Sequence, residues 1–295
     1  MEDKPDNSVL IAGCGYIGRR LAVVLTAQGY RVTGLVRSQA SADRLQAFGV
    51  RAISADLDAT EQCTGNITGH ANVFYLAPPP PQGNEDTRMA AFLRSIDSGP
   101  VPRRIVYIST SAVYGDCQGE WITEAHAVKP TTARGYRRLD AENRVQAWSQ
   151  CRGVEWIILR VPGIYGPGKL PLERLRKGTP VLREADAPYT NRIHADDLVS
   201  ICVAAMHCGS HDTVFNVSDG NPGNMTDYFF RVADAAGLPR PPTVTRAQAQ
   251  QLLSPGMLSF LQDSRRMDNR KMLRELGVTL EYTSLDAGLR ACFKD

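Results

Sequence analysis

The sequence predicts an α/β fold in which a doubly wound parallel sheet carries a small C-terminal region. Short apolar segments alternate regularly with amphipathic segments over the first 160 residues, as strands and helices do in such a sheet. A glycine-rich turn joins the first apolar segment to the first amphipathic one. After Arg160 glycine and proline become frequent, which indicates loops and short elements packed on the sheet.

The first strand is predicted at residues 9–12, four apolar residues that Gly13-x-Gly15-x-x-Gly18 follows at once. Gly13 permits the positive φ of a sharp turn, and Gly18 lets the helix pack tightly on the strand. Gly15 lacks a Cβ, so a pyrophosphate can approach the backbone. Free N–H groups at the helix start, which includes Tyr16 and Ile17, favour the phosphates. The pattern predicts a Rossmann-type dinucleotide site; the alternative is an ordinary turn between strand and helix.

The remaining elements alternate, so right-handed crossovers between parallel strands are expected. Strands are predicted at residues 31–36, 50–54, 72–76, 104–109, 154–160 and 213–217. Helices are predicted at residues 16–28, 41–48, 87–96, 133–150 and 226–236. Asp196 is predicted to be the N-cap of a further helix, and the neighbouring His194 is expected to be structural rather than catalytic.

Arg37 and Ser38 stand at the end of the second strand, where an acidic residue would bind the adenosine ribose of NAD. A guanidinium there can hold a 2′-phosphate through two hydrogen bonds, so NADP is favoured while NAD stays an option. The alternative for Arg37 is a solvated surface position. Asp56 and Leu57 follow the third strand, where the carboxylate can lie under an adenine or simply form a turn.

Three further strand ends contribute to the predicted site. Leu76, Ala77 and Pro78 open a stiff proline-rich loop where the cofactor would run. The hydroxyls of residues 109–111, Ser109 among them, fall at the carboxyl end of the fifth strand, where ligands bind in open α/β sheets. Pro162 begins the glycine- and proline-rich loop after the sixth strand.

Composition excludes several other classes of protein. The net charge is +3 and no basic tract stands out, so no nucleic-acid partner is expected. No apolar run is long enough to span a bilayer, and residues 1–8 are polar and charged, unlike a signal peptide. Seven cysteines are scattered without a CxxC pair or a Cys/His cluster, which favours reduced thiols, no metal site and a cytoplasmic location.

Together these blocks resemble the extended and atypical short-chain dehydrogenases/reductases, the NAD-dependent epimerase/dehydratase group. The glycine spacing is similar to that of atypical members, since extended members usually have GxxGxxG. The active-site strand end is similar to residues 108–116, and later signatures are similar to residues 160–168, 191–198 and 215–217. The Leu276-Gly277 region also fits.

The resemblance implies a Rossmann domain over residues 1–165, with a strand and helix returned from about 192–217. Residues 166–295 would mainly bind substrate. It implies a small-molecule substrate that is sugar-like, nucleotide sugars included, or another small carbonyl or hydroxyl compound, and a homodimer as a possible assembly.

The family's catalytic Tyr, followed four residues later by Lys, is not intact. If the family's Leu and Glu after the lysine are aligned with Leu139 and Glu142, then Arg138 takes the Lys position and Arg134 the Tyr position. Keeping Tyr136 as the catalytic residue puts an aspartate four residues on, which has the wrong charge. A guanidinium stays protonated, so Arg134 is not a general base.

Two hypotheses follow from this altered pair. The first is an NADP-dependent reductase, epimerase or dehydratase in which Thr110 and Tyr136 handle protons and Arg138 gives electrostatic support. Tyr114 is a second candidate phenol, with packing as the alternative. The other hypothesis is a protein that binds or senses NADP without turnover. Six arginines of the later loops could meet a phosphate, but most are expected to face solvent: Arg174, Arg176, Arg183, Arg192, Arg265 and Arg266.

Overall fold

A computed structural model describes residues 7–59 and 69–293 of the chain. Most of the polar N-terminal segment, residues 1–6, therefore lies outside the described residues, as does Cys63. The other six cysteines are free thiols.

Seven strands of the described residues form one sheet, and every neighbouring pair in it is parallel. In chain order they are β1 (Ser8–Ala12), β2 (Arg31–Val36), β3 (Arg51–Ser54), β4 (Asn72–Tyr75), β5 (Arg104–Thr110), β6 (Glu155–Val161) and β7 (Thr213–Asn216). Across the sheet the order is β7-β6-β5-β4-β1-β2-β3. The order reverses at β1 and β4, which confirms the predicted doubly wound α/β sheet and locates its switch point.

Helices cover both faces of the sheet and build the C-terminal region. They are α1 (Tyr16–Ala27), α2 (Gln39–Gln46), α3 (Thr87–Ile96), α4 (Ala133–Arg152), α5 (Leu172–Arg176), α6 (Ala195–His207), α7 (Met225–Ala235), α8 (Arg246–Leu252), α9 (Pro255–Leu258), α10 (Arg270–Leu276) and α11 (Leu285–Cys292). Short 3₁₀ helices span Ser111–Tyr114 and Glu184–Asp186.

The side chains of β1 alternate between two cores, because successive residues of a strand point to opposite faces. Val9 and Ile11 pack with apolar residues of α1 and α6. Leu10 and Ala12 pack with residues of α3 and α4 on the other face. All five residues of β1 are buried, as expected for the central strand of a parallel sheet.

Two-residue and three-residue strands outside the main sheet tie the C-terminal region together. The pairs are Gly163–Tyr165 with Arg192–His194, Tyr189–Thr190 with Gly223–Asn224, Val181–Leu182 with Thr243–Val244, and Trp121–Ile122 with Arg266–Met267. The first pair corrects the sequence analysis, which treated residues 162–168 as loop only. Backbone pairing with Arg192–His194 overrides the weak strand propensity of glycine there.

Helix α6 begins two residues earlier than predicted, and its N-cap is His194 rather than Asp196. The Asp196 backbone N–H donates to Nδ1 of His194 at 3.3 Å. Asp196 instead pairs with Arg20 of α1 at 2.7 Å. Burial lowers the pKa of His194, so a neutral imidazole is available as the acceptor. The structure thus gives this histidine a capping contact, in line with the structural role expected for it.

At the glycine turn between β1 and α1, the end of β1 lies in close contact with the segment that follows β4. Gly13 has φ of +89°, and an added Cβ would lie 2.3 Å from the backbone nitrogen of Ala77, just after β4. An added Cβ on Gly18 would lie 2.9 Å from the carbonyl oxygen of Gly13 and 3.3 Å from Ile11. Both geometric predictions for these glycines are confirmed. By contrast, nothing lies within 4 Å of an added Cβ on Gly15, which faces open space.

A buried ion pair fixes α4 to the sheet below the carboxyl end of β5. Arg160 on β6 donates to Glu142 of α4 at 2.7 Å, and the two side chains are 7% and 1% exposed. Ser109 donates its hydroxyl to the same carboxylate at 2.5 Å. Ser109 is therefore a structural partner of α4, and it sets the helix that carries residues 134 and 138 against the sheet.

Replacing Gly13 by alanine is expected to destabilise the fold by on the order of 2 kcal/mol or more, since it adds a backbone clash to an unfavourable φ. Thermal unfolding of Gly13→Ala measures the loss. Gly29→Ala is the matched control, because Gly29 also has a positive φ of +87° but meets nothing within 4 Å. Equal losses in the two variants would show that the contact with Ala77 contributes nothing.

Replacing Glu142 by glutamine is expected to lower the free energy of unfolding by about 3–5 kcal/mol, because Arg160 would stay charged and buried without its partner. Urea unfolding measures this change. Glu173→Gln removes the exposed pair with Lys177 and should leave the unfolding midpoint unchanged. A Glu142→Gln variant as stable as the parent chain would contradict the structural role given to this pair.

Candidate functional site

A cavity of about 570 Å³ lies at the switch point of the sheet. Its floor is the glycine turn, and its walls are the ends of β2, β3 and β4 together with Arg138 of α4. Twelve residues predicted for the site line it: Gly13, Gly15, Tyr16, Ile17, Gly18, Arg37, Asp56, Leu57, Leu76, Ala77, Pro78 and Arg138. Ligands of open α/β sheets bind in this position.

The start of helix α1 points into this cavity without a cap. No side chain caps the helix, and no acidic residue stands in its first turn. The first N–H groups of a helix have no partner within the helix, so they are free to hold an anion. With the open space beside Gly15, the turn has the shape and the donors that a pyrophosphate requires. The residues present therefore fit a dinucleotide.

Two further guanidinium groups, those of Arg37 and Arg88, line this cavity. Arg37 lines the wall and forms no ion pair with any residue that the structure describes. Arg88 of α3 also lines the wall but is held by Asp58 at 2.7 and 2.5 Å, and that hydrogen bond keeps the pKa of Asp58 low. Sequence analysis missed Arg88, although a basic residue in the first turn after the proline loop was a usable signal. Ser38 does not line the cavity; its hydroxyl donates to Ser41, which does.

Tyr16 links the glycine turn to the loop after β6. Its hydroxyl donates to the carbonyl oxygen of Pro167 at 2.9 Å, and the guanidinium of Arg20 lies 4.9 Å from its ring centroid. Burial raises the pKa of Tyr16, so the phenol stays protonated as a donor. The Nζ atom of Lys169 lies 5.6 Å from the centroid of the same ring, and Lys169 lines the cavity. The motif residue Tyr16 thereby sets the position of the later loop at the mouth of the cavity.

Arg138 presents a fixed positive charge at the inner wall. It donates to the carbonyl oxygen of Ile108 at 3.1 Å and to the Tyr107 hydroxyl at 3.2 Å. Burial opposes its charge, but Tyr107, Asp86 and Tyr75 outweigh burial and raise the pKa of Arg138. The inner wall of the cavity therefore carries a guanidinium that stays charged.

A second cavity, of about 280 Å³, continues from the carboxyl end of β5. Thr110, Ser111 and Pro162 line it, and so does Arg134. The Thr110 Oγ1 accepts from the backbone N–H of Ala112 at 3.3 Å, which leaves the hydroxyl proton free to donate. The Arg134 guanidinium lies 4.0 Å from the ring centroid of Phe260, and burial lowers its pKa.

The structure does not bring Tyr136 to either cavity. Its side chain is 47% exposed on the outer side of α4, away from the wall that Arg138 lines. Tyr114 is fully buried instead: it donates to Asn216 at 2.7 Å and packs under Arg160, and burial raises its pKa to about 12. Packing is thus the role that the structure shows for Tyr114. Of the residues considered for catalysis, Thr110 and Arg138 line cavities and Tyr136 does not.

A third cavity, of about 730 Å³, lies between the C-terminal helices and the loop after β6. It shares Ile164 and Lys169 with the first cavity, and Gly163, Arg192, Met225 and Phe260 with the second. The third cavity therefore shares walls with each of the other two, and a ligand in it lies beside both.

The expectation that most later arginines face solvent is wrong. Arg174 and Arg192 line the third cavity, Arg265 is buried against Asp263, and Arg266 is half-buried over Trp121. Arg176 and Arg183 are exposed. The apolar walls of the C-terminal region accept the aliphatic stems of the other four, which their positions in glycine- and proline-rich sequence did not reveal.

Within the described ranges, 7–59 and 69–293, no group of three or more His, Cys, Asp or Glu side chains is arranged to hold a metal ion. No helix in the same ranges has the length and hydropathy needed to cross a membrane.

Several proteins of solved structure share this architecture. A protein of unknown function from Silicibacter pomeroyi DSS is 30% identical, with a TM-score of 0.81 and 97% of each chain covered. The UDP-glucuronic acid 4-epimerase of Bacillus cereus, solved in complex with NAD, is 18% identical and shares the fold, with a TM-score of 0.75 and 96% of each chain covered.

Sequence comparison extends the likeness over most of the chain. Protein YeeZ of Escherichia coli strain K12 is 23% identical over 282 residues, which cover 93% of this chain and 96% of YeeZ. Residues 9–218 match the NAD dependent epimerase/dehydratase family, and this match spans β1 to β7. This chain is a member of the NAD dependent epimerase/dehydratase family.

Proposed function

We propose that the chain binds a pyridine dinucleotide in the first cavity and is an oxidoreductase for a small carbonyl or hydroxyl compound bound beside Thr110. The observation that carries this proposal is the uncapped helix start above open space at Gly15, in a cavity that is connected through the third cavity to the one at the end of β5. Membership of an NAD-dependent family supports the same conclusion.

The residues that would hold the cofactor divide the first cavity into three parts. The turn at Gly13, Gly15 and Gly18 would hold the pyrophosphate, and Asp56 and Leu57 would border the adenine. Arg138 would border the nicotinamide end, and Pro162, which lines the second cavity, would lie beyond it. Here the family's lysine would bind the nicotinamide ribose, and Arg138 offers a fixed positive charge in its place.

Arg37 supports a preference for NADP over NAD. It lines the cavity, is exposed and pairs with no acid in the described residues, while no acidic side chain follows β2 directly. A free guanidinium at this strand end suits a 2′-phosphate. The family's description and the Bacillus cereus neighbour name NAD, so the preference for NADP is specific to this chain's residues.

A bound nicotinamide supplies or accepts the hydride in this family's chemistry. The chain's own residues must then hold the substrate oxygen and balance its charge. Thr110 has a free hydroxyl proton to donate to that oxygen, while Arg134 and Arg138 supply positive charge from α4. Neither guanidinium gives up a proton near neutral pH, so we assign the proton donated to the substrate oxygen to Thr110, with solvent restoring it.

One observation favours a second function. Arg134, which takes the family's Tyr position if Leu139 and Glu142 are aligned with the family's Leu and Glu, stacks on Phe260 and cannot act as a base. A protein that binds NADP to report or transmit its redox state needs the first cavity but not proton transfer. Turnover separates the two functions.

A screen of aldehydes, ketones and secondary alcohols with NADPH and NADP, followed at 340 nm, tests the oxidoreductase. Thr110→Ala should lower kcat by about 10²–10³-fold, as expected for loss of a single donor to the reacting oxygen. Tyr136→Phe should keep full activity because that phenol lies outside both cavities. Binding of NADPH without turnover on any compound would instead favour the sensor, and an active Thr110→Ala would remove that residue from the mechanism.

Arg37→Ala should weaken NADPH binding about 10–100-fold and leave NADH binding nearly unchanged, since one charge-assisted contact is typically about 1.5–3 kcal/mol. Isothermal titration calorimetry with both nucleotides measures the difference. Arg51→Ala, at the exposed opposite end of β3, is the control for a simple loss of surface charge. Equal weakening for both nucleotides would exclude Arg37 as the 2′-phosphate group.

A further inference from the structure

Three arginines stack on aromatic rings along the second and third cavities. Arg134 lies 4.0 Å from the ring centroid of Phe260, Arg192 lies 4.1 Å from Tyr228, and Arg174 lies 4.3 Å from Phe229. Arg192 lines both cavities, and the others line one each. Stacking fixes each planar group while leaving N–H donors at its edge for another partner.

None of these three guanidiniums is in an ion pair within the part of the chain that the structure describes. Arg192 donates to the carbonyl oxygen of Asn191 at 2.9 Å, and Arg174 donates to that of Pro180 at 3.2 Å. The Nε of Arg174 is buried and has no hydrogen-bond partner. Burial lowers the pKa of all three arginines and outweighs the opposite effects of Asp263 on Arg134 and of Asp219 on Arg192, so these charges are only partly compensated.

The acidic side chains near these arginines either have other ion-pair partners or have a raised pKa. Asp263 of the second cavity pairs with Arg265 at 3.1 Å and accepts from Thr131 at 2.7 Å. Glu173 of the third cavity pairs with Lys177 at 2.5 Å. Asp219 lies near Arg192. Burial raises the pKa of the Asp219 carboxyl group to about 7, so this group is largely protonated below that pH. The cavities therefore carry an excess of positive charge that a ligand can neutralise.

Apolar side chains stand beside these charges in the third cavity. Its walls include Met225, Met257, Leu261 and Phe229, and its uncharged hydroxyl side chains are Thr179 and Tyr228. The other polar side chains are charged, namely Lys169, Glu173 and Lys177 beside the two arginines. A sugar presents many hydroxyls, and few uncharged hydrogen-bonding side chains line this cavity to receive them. Carbon rings and alkyl groups suit such walls, and methionines adapt to irregular shapes.

We propose that the substrate of this site is an amphiphilic organic anion, a carboxylate or phosphate on an apolar skeleton, rather than a nucleotide sugar. Arg192 holds the anionic group together with Arg134 or Arg174, and the skeleton lies on Phe260 and the methionines. The wall shared at Ile164 and Lys169 brings such a ligand beside the first cavity. This inference rests on the proposed function for its reaction, but its binding is measured independently.

Calorimetry with the full chain and saturating NADPH tests the proposal with matched probes. The probes are 2-naphthoate, 2-naphthyl phosphate, 2-naphthamide, acetate and UDP-glucose. At least one naphthyl anion should bind tenfold or more tightly than the neutral amide and than acetate, and more tightly than UDP-glucose. Whichever naphthyl anion binds more tightly shows whether the site prefers a carboxylate or a phosphate.

Arg192→Gln should weaken binding of that naphthyl anion about 10–100-fold and leave the amide unchanged, and Arg134→Gln provides a second test should the first variant fail to fold. Arg176→Gln, exposed on the same short helix as Arg174, is the control and should bind as the parent chain does. Equal binding of anion and amide, no effect of either variant, tighter binding of UDP-glucose, or no binding of any probe would each overturn the proposal. Arg37→Ala should keep naphthyl-anion binding while NADPH affinity falls, so a failure of cofactor binding is told apart from a failure here.

Discussion

The close approach of three backbone segments at the switch point determines the rest of the site. The N–H groups of Gly13 and Cys14 both donate to the carbonyl oxygen of Leu35, and Leu76 donates to that of Ala12. These bonds join the ends of β1, β2 and β4 at one place, and only a residue without a Cβ fits where the segments meet. Because the strand order reverses there, the following segments diverge and leave the cavity above the turn. The start of α1, Arg37 and the loop at Pro78 line this cavity.

A second set of contacts brings the distant part of the chain to this cavity. Tyr16 reaches the loop at Pro167, Arg20 pairs with Asp196, and Gly163–Tyr165 pairs with Arg192–His194. Each contact joins the first 40 residues or the loop after β6 to an element beyond residue 160. The same loop therefore borders all three cavities, and the geometry of the nucleotide end and of the substrate end is set by one connected framework.

Sequence predicted the sheet well because its signals are local. Runs such as Val9 to Ala12 and the glycine spacing specify strand, turn and helix through neighbouring residues alone. It also predicted most of the first cavity, because strand ends converge at a known edge of a parallel sheet. The pairing of Asp196 with Arg20, the strand at Gly163–Tyr165 and the contact of Arg265 with the carbonyl oxygen of Gly115 depend on partners far away in the chain. Likewise the outward direction of Tyr136 follows from how Glu142 and Arg160 fix α4 on the sheet, and no local pattern encodes that rotation.

Arginines line all three cavities: Arg138 the first, Arg134 the second, Arg174 the third and Arg192 the second and third. Guanidinium groups stay protonated near neutral pH, so this site is better suited to holding an anion than to storing a proton. Calorimetric titration of NADPH and NADH into the parent chain and into Gly15→Ala tests whether the glycine turn holds a dinucleotide. We expect saturable one-site binding to the parent chain, and its loss in Gly15→Ala without unfolding, because the new Cβ occupies the space beside the turn. No affinity of the parent chain for either nucleotide, or unchanged affinity in the variant, would contradict this expectation.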